Sequence, residues 1–273
     1  MKYITTLLLL LPLLFAKAQQ PTAEESFYSL VSYNPGNEAS VANAEKKLRT
    51  YLNENPAGNY RSAAFYFLAD ILKQHNKPDS AIQLYERSLQ LPLADSMSAL
   101  YFKNQAAIHI AEIYIARNDF CTAINYIDLA KYTFVPRYQC GNARAEAFIQ
   151  QQRLYAACYA GLGDYTRAID TLMPPLFNPF AATTELSGQL YNTWLHLYTP
   201  RQIKEQFVQA EQNILIKKEK YYNFEYLKPV IKIFGKEVLL NVYDLNNKTP
   251  QQQTAACLEH LKKAYIYKLV MKN

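Results

Sequence analysis

Glycine is what this chain has least of, with 7 among 273 residues, where an average sequence carries about 7%. So few glycines exclude architectures built on Gly-rich turns, most dinucleotide-binding folds among them. The Gly161-Leu162-Gly163 triplet lacks the third glycine, the lysine and the preceding strand of a phosphate loop. Cysteine is also sparse, at four, with no C-x-x-C, and no H-E-x-x-H or G-x-S-x-G occurs. His75, His109 and His196 stand apart from other ligand types. Cys257 and His260 share a helical face at i, i+3, but two ligands do not make a metal site. No carboxylate pair is set apart for acid–base work. The chain therefore reads as non-enzymatic, with neither cofactor nor metal.

Long apolar runs are missing as well, with one exception at the start. Lys2 is followed by an apolar stretch from Ile4 to Ala16 and the small–x–small pattern Ala16-Lys17-Ala18. That is the layout of a signal peptide over residues 1–18, with a run too short for the roughly 20 residues that span a bilayer. No cysteine follows the expected cut, so no lipid anchor is expected. The mature chain is expected to begin at Gln19, to be exported to the periplasm or the cell exterior, and to have no transmembrane segment.

What the chain does have is bulk: 50% hydrophobic residues, with 23 Tyr and 13 Phe against one Trp. This composition suits a mainly helical protein with large side chains wedged between helices, and excludes disorder. Charge is uneven. Residues 200–273 hold 13 Lys/Arg and 7 Asp/Glu, whereas residues 19–199 hold 14 and 16. A basic C-terminal part suits an acidic partner or an anionic surface, although a solvated lysine face is the commoner reading.

Internal repetition is the strongest signal. Ser80-Ala81-Ile82, Thr122-Ala123-Ile124 and Arg167-Ala168-Ile169 align, and twelve residues before each alanine stands another: Ala69, Ala111 and Ala156. An alanine pair across a turn lets two antiparallel helices approach closely. Tyr85, Ile127 and Leu172 follow four residues after the second alanine; Leu68, Ile110 and Tyr155 precede the first. The turns between them, Asn76-Lys77-Pro78, Asn118-Asp119-Phe120 and Gly163-Asp164-Tyr165, are rich in helix breakers.

This pattern resembles the tetratricopeptide repeat (TPR) family over about residues 24–175. Leu154 to Leu172 is the best unit, and Ala44, Leu48 and Tyr51 fit the second helix of a fainter unit in front. The units are spaced by 42 and 45 residues rather than 34, so helices or connections are lengthened around Asp95–Ala116 and Thr133–Gln152. The resemblance implies a solenoid of antiparallel helical hairpins over residues 19–217. It also implies a partner protein or peptide held on a concave face. The face would carry Tyr66, Asp70 and Lys73, then Ile108, Glu112 and Ile115, then Arg153 and Ala157. The positions where some family members clamp a C-terminal carboxylate carry Tyr66, Asp70, Gln150 and Leu154, which do not reproduce that clamp.

Beyond the repeats, Thr184 to Tyr198 reads as a helix with Leu186, Leu190, Trp194 and Leu197 on one side. Pro200 opens another through Ile216, with Ile203, Phe207 and Ala210 inward. Residues 218–273 read as a small α+β module. Val230–Phe234 and Val238–Tyr243 flank Gly235-Lys236 as a hairpin, and Thr249-Pro250 opens a helix. Ala264–Leu269 is either a last strand or more helix. Lys217 to Tyr222 mixes bases and aromatics but is expected to be a linker with a solvated face, so no nucleic-acid partner is expected.

Among the cysteines, helix geometry leaves Cys121 and Cys158 open to a disulfide, with a buried Cys158 thiol as the favoured alternative. Cys140 and Cys257 have no evident mate. The functional expectation is an exported scaffold or adaptor in an envelope or surface complex. The alternative is a ligand- or glycan-capture protein using aromatic residues in a cleft. An enzyme site within residues 221–273 ranks last.

Overall fold

In the computed structural model, residues 23–91, 97–138, 140–177 and 184–273 are described. The expected signal segment lies outside them. The chain is mainly helical, with one three-stranded antiparallel sheet near its C-terminal end. It divides into two compact units, the first reaching Ala106 and the second running from Ala107 to Asn273.

The first unit contains α1 (Ala23–Val31), α2 (Glu38–Glu54), α3 (Arg61–Gln74), α4 (Pro78–Gln90) and the start of α5 (Met97–Ala116). Phe27 of α1, Ala44 and Leu48 of α2, and Ala64, Leu68 and Ile71 of α3 close into one core. Phe27 stacks on Tyr60 with centroids 4.9 Å apart. Two polar ties show that α3 and α4 run antiparallel. Ser62 Oγ meets Ser88 Oγ at 2.8 Å near one end, and Tyr85 donates to Asp70 at 3.4 Å near the other. Lys103, only 2% exposed, turns its ammonium onto the carbonyls of Leu89 and Leu91. It thereby satisfies acceptors that the end of α4 would leave without partners.

The second unit continues with α6 (Phe120–Asp128), extended by a π-helical turn over Leu129–Thr133, then α7 (Gly141–Gly161) and α8 (Tyr165–Leu172). The three alanine pairs sit where the repeat pattern expects them: Ala69, Ala81, Ala111, Ala123, Ala156 and Ala168 are all at most 1% exposed. The extra length between units lies largely in α5 and α7, which have 20 and 21 residues against 14 for α3.

The turns repeat in atomic detail. Asn76, Asn118 and Gly163 take positive φ of 55°, 60° and 81°. In each, the next residue's N–H reaches back five positions, from Lys77 to Leu72, Asp119 to Tyr114 and Asp164 to Tyr159. The left-handed residue's own N–H reaches back three, to Lys73, Ile115 and Ala160. This is the Schellman closure, whose C′ residue favours glycine or asparagine. The residue after it caps the next helix: Asp119 accepts from Thr122 N–H and Asp164 from Arg167 N–H, while Lys77 precedes Pro78 at the first helical position.

Next come α9 (Thr184–Trp194) and α10 (Pro200–Gln212), then β1 (Leu215–Tyr221), β2 (Phe224–Ile233) and β3 (Lys236–Leu239). A 3-10 turn over Leu245–Asn247 leads to α11 (Pro250–Lys263) and α12 (Tyr265–Lys272). Helices α10 and α11 open on the same device. Thr199-Pro200 and Thr249-Pro250 each form a capping box with the glutamine at N3, Gln202 or Gln252.

Three expectations for this region change and one alternative is decided. The helix opened by Pro200 ends at Gln212 rather than Ile216. Lys217 to Tyr222 is not a linker, because Leu215–Tyr221 forms an edge strand paired with β2. The β2–β3 turn is Phe234-Gly235, one residue earlier than expected, with φ of 50° and 75° as a type I′ turn requires. Of the two alternatives for the last segment, the helix holds, over Tyr265–Lys272. The C-terminal elements also share a core with the helices before them. Ile231, Ile233 and Val238 of the sheet and Cys257 and Leu261 of α11 pack in one cluster with Trp194 and Phe207. Leu186, Leu190 and Trp194 are buried as expected, but Leu197 lies beyond the end of α9 and is 44% exposed.

Helix α12 is tied to α10 by a hydrogen bond from the Tyr267 hydroxyl to Glu211. Burial pushes the Tyr267 phenol up to about 12, and the Glu211 charge adds to this. For Glu211, burial acts upward, but hydrogen bonds from Tyr267 and Lys262 outweigh it and hold the carboxyl below its usual range. An unfolded tyrosine loses its proton near pH 10. Between about pH 10 and 12 Tyr267 therefore keeps its proton in the folded chain and loses it in the unfolded one, so its contribution to stability falls as pH rises, adding to that of other buried tyrosines such as Tyr155. Urea midpoints measured across that window are expected to decline, and Tyr267→Phe should flatten the decline while lowering stability at neutral pH.

Candidate binding cleft

A cleft of about 520 Å3 opens in the second unit. Its walls are one face of α7, with Gln150, Arg153, Leu154, Ala157 and Ala160, and one face of α9 and the residues just after it, with Gln189, Asn192, Thr193 and His196; Glu112 of α5 completes it. The spacings are helical on both sides: 150, 153, 154, 157 on α7 and 189, 192, 193 on α9, with 196 in the turn that follows it. Other sides of these helices are apolar and buried, through Ile149 and Ala156 of α7 and Leu186, Leu190 and Trp194 of α9. Burying those stripes is what aims the polar ones into the cleft.

The cleft mixes apolar surface from Leu154, Ala157 and Ala160 with polar groups, and its charges are held. Arg153 donates to Glu185 at 2.6 Å, and Gln189 Nε2 donates to the Arg153 carbonyl at 2.9 Å, linking α9 to α7. Glu112 Oε2 lies 2.9 Å from His109 Nδ1, one turn away on α5. Thr193 Oγ1 bonds back to the Gln189 carbonyl at 2.7 Å. The His196 ring stacks on Tyr165 with centroids 4.0 Å apart and planes within 7°. Side-chain amides are the commonest polar groups in this lining, and each offers a donor and an acceptor together.

Of the residues expected to face a partner, the structure brings Glu112, Arg153 and Ala157 to this cleft. Ile108 is 1% exposed and so offers no surface. The reason is that α5 is apolar around most of its circumference, with Ala106, Ala107, Ile110, Ala111 and Ile113 buried too. Tyr66, Asp70 and Lys73 belong to the first unit. Tyr66 is half-buried against Phe67, Tyr85 and Phe102, and Asp70 accepts from Gln74 at 2.8 Å. Gln189, Asn192 and Thr193 of α9 and His196 of the turn after it are not among the expected residues, although their i, i+3, i+4, i+7 spacing is readable in the sequence.

A second cavity of about 660 Å3 lies beside β2, with Tyr226, Lys228, Tyr243 and Asn246 in its lining. Cys121 and Cys140 are exposed free thiols, while Cys158 and Cys257 are buried free thiols whose pKa values burial raises to about 11. Among the described residues, no group of three His, Cys, Asp or Glu is placed to hold a metal ion, and no helix is long and apolar enough to cross a membrane.

Fold and cleft together describe a mainly helical protein with a small antiparallel sheet and a cleft whose lining includes three side-chain amides. No family model matches the chain, and no curated protein is detectably similar to it.

Proposed function

We propose that this is an exported, non-enzymatic scaffold or adaptor, built as a TPR-like solenoid of helical hairpins, that holds an extended segment of a protein partner. Three identical Schellman-closed turns, each beside a buried alanine pair, support the repeat reading. The observation that carries the binding reading is the amide-rich lining contributed by α7 and α9. A peptide backbone presents alternating donors and acceptors, and Gln150, Gln189 and Asn192 match both. Ala157 and Ala160 leave room for close approach of a main chain.

Site-specific photocrosslinking tests this. A benzophenone amino acid at Asn192, in the chain expressed in its own host, is expected to yield one discrete protein adduct. The same group at the exposed Thr166 of α8 should not, and Arg153→Glu should reduce the Asn192 adduct at least about tenfold, as befits a lost charge-assisted contact of about 1.5–3 kcal/mol. Equal labelling from both positions, or no adduct from Asn192, would sink the proposal.

A second reading, ligand or glycan capture, rests on the tyrosine-bearing cavity beside β2. Aromatic rings and asparagines around a volume within the usual 300–1,000 Å3 of small-ligand sites suit a saccharide. In that case Tyr243→Ala, and not Arg153→Glu, would abolish binding in a glycan screen.

A further inference from the structure

Strand β1 is an edge of the sheet, and its backbone is aligned for one more strand. The ladder fixes which groups point outward. Leu240 N–H donates to Pro229 O at 2.9 Å, continuing the register in which Ile231 meets Val238 and Ile233 meets Lys236. Odd-numbered residues of β2 thus hydrogen-bond toward β3, and even-numbered ones toward β1. The β1 partners of those even residues are Leu215, Lys217, Glu219 and Tyr221. The N–H and C=O groups of Ile216, Lys218 and Lys220 therefore point away from the sheet.

The charges on β1 sort by face in the same way. Lys217 is tied to Glu237 at 2.6 Å. Glu219 accepts from Lys228 at 2.9 Å and from Tyr226 at 2.7 Å. That face is balanced internally. On the other face Ile216 is half-buried against the core, whereas Lys218 and Lys220 are exposed. In the register, Lys220 stands opposite Glu225, Lys218 opposite Leu227 and Ile216 opposite Pro229.

We infer that the open edge of β1 binds an extended acidic segment of a partner protein as a fourth, antiparallel strand. Directly opposed residues share a face, so the incoming strand needs acids opposite Lys220 and Lys218 and an aliphatic residue opposite Ile216. Read from its N-terminus, the matching segment is acidic–x–acidic–x–aliphatic. Lysines on an edge strand ordinarily deter pairing, and here they deter one partner in particular, a second copy of this chain. Two β1 strands paired antiparallel about Lys218 would set Lys218 against Lys218, and one rung along would set Lys218 against Lys220 twice. An acidic strand meets no such repulsion. Main-chain bonds supply affinity and the lysine pair selects the sequence.

The test uses the full chain and a capped, fluorescein-labelled peptide, Thr-Glu-Thr-Glu-Thr-Val-Thr, followed by fluorescence anisotropy. The peptide is expected to bind, and more weakly as salt rises. Methylating the backbone nitrogens of its Glu and Val residues, which face β1, should abolish binding. Methylating those of the three threonines after the first Glu, which face solvent, should not. Lys218→Glu with Lys220→Glu should weaken binding at least about tenfold, two attractive pairs having become repulsive. Lys218→Gln with Lys220→Gln gives an intermediate loss and serves should the reversal disturb folding. No binding of the parent peptide, equal binding of the two methylated forms, or indifference to the lysine changes would each overturn the inference.

Discussion

Replacing Phe207 with alanine is expected to cost about 3–5 kcal/mol, the usual range for removing a buried phenylalanine. Phe207 is fully buried on α10, where its ring meets Trp194 of α9 edge-on at 6.0 Å and Tyr267 of α12 at 6.2 Å. Trp194 reaches on to Phe234 of the sheet turn at 5.8 Å, and Tyr198 stacks on that same ring at 3.8 Å. Phe207 therefore sits where three helices and the sheet share one core. The surroundings are fixed by capped helix starts and a type I′ turn, so little of the vacated space will be refilled. Trp194 is the only tryptophan of the chain, which makes its emission a local report on this core. With an m-value near 2 kcal/mol/M, the emission change should move about 2 M lower in urea. A shift below about 0.5 M would mean that this core does not hold the second unit together.

The parts of the fold that were legible in the sequence are those written as local patterns. Alanines twelve apart marked three pairs of fully buried small residues on consecutive helices, because a small residue is needed wherever two helices come close whatever surrounds it. Asn76, Asn118 and Gly163 marked the turns, since only such residues enter left-handed backbone cheaply. The illegible parts depend on what lies opposite in space. Leu215 to Tyr221 has no apolar alternation, because as an edge strand it is exposed on most of its length, so its pairing with β2 leaves no hydrophobic mark. Ile108 looked available because a one-sided helix was assumed for α5, and α5 is covered on most sides. On α9 the buried Leu186, Leu190 and Trp194 drew attention from the polar stripe between them. Half of the cleft was thus written in the sequence but masked by the stronger core signal on the same helix.

Enlarging Ala168 to leucine should be nearly as damaging as emptying the Phe207 site, for the opposite reason. Ala168 is fully buried on α8, and its partner in the repeat, Ala156 of α7, is 1% exposed. The turn between them is closed by two hydrogen bonds and an aspartate cap, so the helices have little freedom to separate at that end. Leucine adds three carbon atoms at a fully buried site, and about 3 kcal/mol is expected, the upper part of the range for overpacking. Helix propensity does not confuse the result, since alanine and leucine differ by only a few tenths of a kcal/mol. Thr166→Leu, on the exposed side of the same short helix, supplies the comparison and should shift stability by less than about 0.5 kcal/mol. Because α7 carries Gln150, Arg153 and Ala157 along its length, a displaced α7–α8 crossing should also lower the Asn192 crosslink to the partner. If Ala168→Leu leaves both the unfolding midpoint and that crosslink unchanged, the alanine pair is not a close contact, and the repeat argument loses its physical basis.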